Sequence, residues 1–127
     1  MGNEQSAGDG AAGAVHKPNA DVLVGAVISS HALTADGRGG QYVRYKVEYK
    51  WETEFELSTV YHRFSEFKTL QELLAGKYKW VPPIDGRRLM GSLSEEVIDT
   101  RRRTLNSLLV AMVTNRLDNT LDEVALF

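Results

Sequence analysis

The 127-residue chain has no cysteine. That excludes a disulfide framework, a thiol nucleophile and a thiolate metal site, and it is compatible with a reducing, intracellular compartment. No run of about 18 apolar residues occurs, so no segment is read as spanning a membrane, and no signal-peptide pattern is present. An excess of positive charge is missing too. Lys and Arg number 15 against 17 Asp and Glu, for a formal charge of −2. That balance argues against a general nucleic-acid binder, so any anion site must be local. The histidines, His16, His31 and His62, lie far apart without metal-ligand spacing, and no metal or cofactor is expected. Ser58, Ser65 and Ser92 stand in strand, turn or cap contexts with no base nearby in the pattern, so catalysis is not expected. The glycines of "GRGG" lack the strand–helix setting of a dinucleotide loop.

What is present suits one domain. Hydrophobic residues make up 43% of the chain, enough for one core. Residues 1–20 are rich in Gly and Ala with few large apolar groups, and they read as a flexible N-terminal tail. From Asp21 the pattern changes. "DVLVGAVIS" is a β-branched strand, and "DGRGG" at 36–40 is a loop. "YVRYKVEYKW" alternates, with Val43, Tyr45, Val47, Tyr49 and Trp51 on one face. "EFELSTVY" alternates again, grouping Phe55, Leu57, Thr59 and Tyr61. The spacing predicts a helix from Phe64 to Ala75 stopped by Gly76, then an extended proline arm at "KYKWVPPIDG". A long helix follows, with Ser92 and Glu95 as its capping box and Val97, Ile98, Leu105, Leu108, Leu109 and Met112 as its apolar line. A short helix over Asn119–Leu126 closes the chain. Strands followed by helices give α+β: a three-stranded antiparallel meander packed against a helical subdomain, with the proline-rich arm between the first and second helices.

Three sets of cations stand out. Arg101 lies four residues after Val97 and four before Leu105, on the inward stripe of the long helix. A charge there needs an anionic partner, either a protein carboxylate or a ligand phosphate. Arg87 and Arg88 precede Leu89 and Met90. Cations beside apolar tips suit a membrane surface, while a solvated loop with Leu89 tucked inward is the plainer alternative. Arg63 sits where a strand becomes a helix. A guanidinium beside a helix N-terminus suits a phosphate, and an ion pair with a nearby glutamate would also satisfy it. Phe67 and Trp80 read as core.

Taken together, "YHRFSEF", "PPIDGRRL" and "DTRRRTLNSLL", in that order after a three-stranded meander, resemble the PX (phox homology) domain over residues 21–127. The resemblance implies a non-enzymatic, phosphoinositide-binding membrane-targeting module, most often for phosphatidylinositol 3-phosphate, cytoplasmic and peripheral on endosomal or related membranes. It assigns the 3-phosphate to Arg63, support of the inositol ring to Phe64, and the helix start near that phosphate to Ser65. His62 departs from the family's basic residue. Arg87 stands where the family usually has a lysine for the 1-phosphate. Arg101 matches the arginine that meets the ring hydroxyls, and Leu89 and Met90 match the loop that enters the bilayer. "PPID" replaces the commoner "PPLP". Alternatives from other classes are a PX-fold protein-interaction domain without lipid binding, and the targeting segment of a larger enzyme. Independently of the resemblance, "MGNEQS" fits the N-myristoylation pattern, with Gly2 as acceptor.

Overall fold

The computed structural model describes residues 21–84 and 93–127, the side chains of Ala125 and Leu126 excepted. The expected tail, Gly2, Arg87, Leu89 and Met90 lie outside the described residues.

Alternation of β-branched and aromatic residues with charged ones produces strands β1 (Leu23–Ala35), β2 (Gln41–Trp51) and β3 (Ser58–Arg63), ordered β1-β2-β3. Both pairings are antiparallel. Val43, Tyr45, Val47 and Trp51 of β2 are buried, as the alternation requires. The β1–β2 turn is set by Asp36. Its carboxylate accepts the N–H groups of Arg38 (2.8 Å) and Gly40 (3.0 Å). Gly37 and Gly39 take φ of 81° and 87°, a region open to glycine at little cost. The two N–H bonds hold the Asp36 carboxyl below its ordinary value.

β1 runs on to Ala35, well beyond the "DVLVGAVIS" segment, because β2 pairs with it along its whole length. A register shift between Ile28 and Ser30 frees one ladder group. The Ile28 N–H then donates to Asn106 Oδ1 at 3.0 Å on the second helix, joining sheet and helix. β3 begins at Ser58 and not at Glu54. Residues 51–54 form a turn closed by Glu54 N–H to the Trp51 carbonyl (3.0 Å), so pairing with β2 starts only opposite Tyr49. Thr59 and Tyr61 face solvent, and Val60 packs against the core.

Helix α1 (Phe64–Ala75) buries Phe67, Leu70 and Leu74. Gly76 closes it in a right-handed conformation (φ −70°, ψ −16°), with its N–H on the Glu72 carbonyl at 3.2 Å. In the described part of the arm, residues 77–84, Lys79 and Trp80 form a turn and residues 81–84 are neither helix nor strand, and Gln71 donates to the Pro82 carbonyl at 3.2 Å. Helix α2 (Glu95–Thr114) buries the expected six residues, Val97, Ile98, Leu105, Leu108, Leu109 and Met112. Its cap is Ser94 and not Ser92. Ser94 is extended (φ −71°, ψ 152°) and its Oγ accepts the Val97 N–H at 3.3 Å, which puts Glu95 and Glu96 in the dipole-favoured first turn. Helix α3 is shorter than expected, Asp122–Leu126.

α2 packs chiefly on β1, and the core centres on Tyr45, Phe67, Leu74, Leu105, Leu108 and Leu109. The Tyr45 hydroxyl donates to the Ile98 carbonyl at 3.3 Å, and burial raises its pKa against the pull of Arg101 and Arg102. No helix among the described residues is long and apolar enough to cross a membrane.

Candidate functional site

The strand–helix junction is built by main-chain bonds that leave the Arg63 guanidinium uncommitted. Arg63 is the N-cap of α1, in extended conformation (φ −82°, ψ 161°). Its N–H donates to Glu66 Oε1 at 2.8 Å. The same carboxylate meets His62 Nδ1 at 3.2 Å. Partial burial, the largest influence on Glu66, pushes its pKa up. The Arg63 N–H, the His62 bond and the two neighbouring charges outweigh it, so the carboxyl sits below its ordinary value. Glu66 is thus engaged by the backbone and by histidine. Among the described residues Arg63 makes no salt bridge; instead its guanidinium lies 4.0 Å from the centroid of the Tyr42 ring.

This stack has a counterpart one pair away. Arg44 is directly opposite Arg63 on the ladder, and its guanidinium lies 4.6 Å from the Tyr61 ring. Tyr42-Val43-Arg44 and Tyr61-His62-Arg63 share a Tyr-x-Arg pattern on neighbouring antiparallel strands. The register crosses them, so each arginine covers the other strand's tyrosine, a diagonal cross-strand contact. Sequence reasoning missed this pairing, although the repeated Tyr-x-Arg triplet was a visible signal for it.

Arg101, half-buried on α2, stacks over Phe64 at 4.5 Å from the ring centroid and has no salt bridge among the described residues. The structure therefore brings Phe64 and Arg101 together. Arg63 is Phe64's chain neighbour, and Ser65 is exposed in the first turn of α1. Neither of the carboxylate pairings left open for Arg63 and Arg101 is found. Elsewhere cations do find acids: Lys68–Glu72 at 2.9 Å, Lys77–Glu123 at 2.9 Å and Arg116–Glu52 at 3.3 Å.

His62 has a structural task. Its ring stacks on Phe127 at 3.8 Å between centroids, and Nε2 contacts the Phe127 main-chain oxygen. It also meets Phe67 edge-on at 5.9 Å. Phe67 is wholly buried, as expected, and Trp80 is half-buried against Tyr78 at 5.2 Å. No group of three or more potential metal ligands occurs among the described residues.

Comparison with known proteins agrees with this architecture. The PX domain family model matches residues 52–127. Human sorting nexin-8 is 38% identical over 61 residues, 46% of this chain and 13% of that protein. The chain therefore corresponds to a small part of that relative. A designed CISK-PX domain superposes with a TM-score of 0.60 at 26% identity, covering 71% of this chain and 84% of that one. The mouse SNX19 PX domain, solved with a bound sulphate ion, gives 0.59 at 22% identity, covering 82% and 93%. PX domains generally bind phosphoinositides, target membranes and are not enzymes. With a three-stranded antiparallel sheet, an arginine capping the helix that follows it and a second arginine stacked on the next residue, the chain belongs to the PX domain family.

Proposed function

We propose that this chain binds a phosphoinositide head group, most favourably phosphatidylinositol 3-phosphate, and so holds the protein on endosomal or related membranes without catalysing a reaction. The observation that carries the reading is the pair of uncompensated arginines around Phe64: Arg63 over Tyr42 and Arg101 over Phe64. A guanidinium stacked on a ring keeps its in-plane N–H donors free for a bidentate phosphate contact. Arg63 adds the N–H groups of the first turn of α1, where the dipole favours an anion. In this reading Arg63 takes the 3-phosphate, Phe64 lies against the inositol ring, Ser65 stands at the helix start and Arg101 meets the ring hydroxyls.

The sequence extends the reading. Arg87 would take the 1-phosphate, Leu89 and Met90 would enter the bilayer, and a myristoyl chain on Gly2 would add a weak second anchor. The folded unit would span residues 21–127 and the tail residues 1–20.

The test is calorimetry with soluble short-chain phosphatidylinositol 3-phosphate, beside a vesicle panel of all phosphorylated inositides. Arg63→Ala and Arg101→Ala should each lose head-group affinity while keeping the wild-type melting curve. A folded Arg63→Ala protein with unchanged affinity would overturn the assignment. A wild-type chain that ignores every phosphoinositide would leave the protein-recruiting alternative.

A further inference from the structure

The β2–β3 turn displays apolar surface that the fold does not use. Phe55 is 99% exposed and Leu57 is 58% exposed, within the segment Glu52-Thr53-Glu54-Phe55-Glu56-Leu57. Large apolar side chains at this exposure are informative when they share a patch.

The turn is held by its surroundings. Glu52 N–H donates to the Val22 carbonyl at 2.8 Å, and Glu54 N–H to the Trp51 carbonyl at 3.0 Å. Asp21, only 7% exposed, accepts Thr53 N–H at 3.1 Å and the Thr53 hydroxyl at 2.5 Å. The Lys50 ammonium bonds the carbonyls of Trp51 and Glu54, and Glu52 pairs with Arg116 at 3.3 Å. An aromatic anchor presented on a backbone held this way loses little further freedom when it docks, which is the property of an interface hot spot.

Position and charge identify the occupant. The register puts Ser58 opposite Tyr49 at this end and Arg63 opposite Arg44 at the other. The turn therefore lies about 16 Å of strand or more from Arg63. Glu52 and Glu54 precede the apolar pair and Glu56 separates its members, and Glu56 makes no ion pair among the described residues. An anionic leaflet would repel this segment. A protein surface with an apolar pocket edged by Lys and Arg would match it in both respects.

We propose that the Glu52–Leu57 turn is a protein-docking element, with Phe55 and Leu57 as anchors, for a basic apolar segment of a partner protein. The experiment selects a random peptide display library against the 127-residue chain. Enriched peptides should carry Lys or Arg beside Leu, Phe or Trp. Binding of a selected peptide should weaken about tenfold or more in Phe55→Ala and in Leu57→Ser, and weaken with added salt. Glu56→Lys should shift the selection away from basic peptides. All three variants should keep the wild-type melting curve and head-group affinity, so this result is independent of the lipid site. Peptides that bind Phe55→Ala as well as wild type, a library with no enrichment, or a selection unaltered by Glu56→Lys would overturn the proposal. So would a concentration-dependent dimer lost in Phe55→Ala, which would make a second copy the occupant.

Discussion

At one end of the sheet Arg44 and Arg63 stand opposite each other on the ladder, each over a tyrosine and neither in a salt bridge among the described residues. At the other end the nearby cations are committed: Arg116 to Glu52, and Lys50 to two carbonyls of the turn. Like charges directly across a ladder are unfavourable, and rings offset that only in part. The first end is thus the one proposed to take an anion. The second meets its polar needs internally and leaves apolar surface unmet. One strand of six residues separates the end proposed to take an anion from the end proposed to dock a partner.

The largest expected effect removes the support common to both ends. Phe67, with no exposed surface, meets Tyr45 and Phe127 edge-on at 6.3 and 5.0 Å. Phe67→Ala should cost about 3–5 kcal/mol in urea unfolding, and both binding activities should fall together. Arg63→Ala separates the ends. Head-group affinity should drop by about 2–5 kcal/mol, since a phosphate is left without its partner, while selected peptides bind unchanged. Asp21→Ala is the reverse case. It removes a charged acceptor from two donors of Thr53 at a part-buried contact and should cost about 1–3 kcal/mol of stability. Amide exchange at Thr53 should quicken, and head-group affinity in the folded fraction should hold.

Tyr42→Leu keeps apolar bulk under Arg63 but removes the ring. It should weaken head-group binding by about 0.5–1 kcal/mol, read by calorimetry, without altering the melting curve. The smallest effect is a pH dependence. The Glu66 carboxyl is held below its ordinary value of 4.5 in the folded chain, so the stability it adds is present above that value. As pH falls through the lowered folded value, the carboxylate is protonated and the contribution is lost. Glu66→Gln should flatten this acid limb in thermal melts between neutral pH and pH values below 4.5.

Much of this was legible in the residues. The alternation from Val43 to Trp51 and the six-residue apolar line of α2 are periodic signals, and they located the core. The boundaries that differ depend on nonlocal bonds. β1 continues to Ala35 because β2 is there to pair with it. β3 waits until Ser58 because Lys50 and Trp51 hold the preceding turn. The helix cap fell to Ser94, a choice set by its extended backbone, which the serine-rich pattern before Glu95 does not show. At the site, Arg63 at a strand–helix switch and Arg101 on an inward stripe could be singled out one at a time. Their ring partners could not, since Arg63 over Tyr42 and Arg44 over Tyr61 exist only once the register of β2 against β3 is fixed.

The buried carboxylate of Asp21 also fixes where the preceding twenty residues are tethered. Asp21 is bound to Thr53 and to Asn119, at the Trp51 end of the sheet and away from Arg63. An acyl chain proposed for Gly2 therefore starts from the far end. To draw level with Arg63 it must pass along β2 from Trp51 to Arg44, seven residue steps or about 23 Å. The nineteen peptide steps from Gly2 to Asp21 reach at most about 65 Å. That contour length exceeds the distance by about 40 Å. Deleting about fifteen residues of the tail would leave a reach of only about 15 Å, below that distance, so acyl chain and head-group pocket could no longer meet the same bilayer, and membrane residence should fall to that of Gly2→Ala.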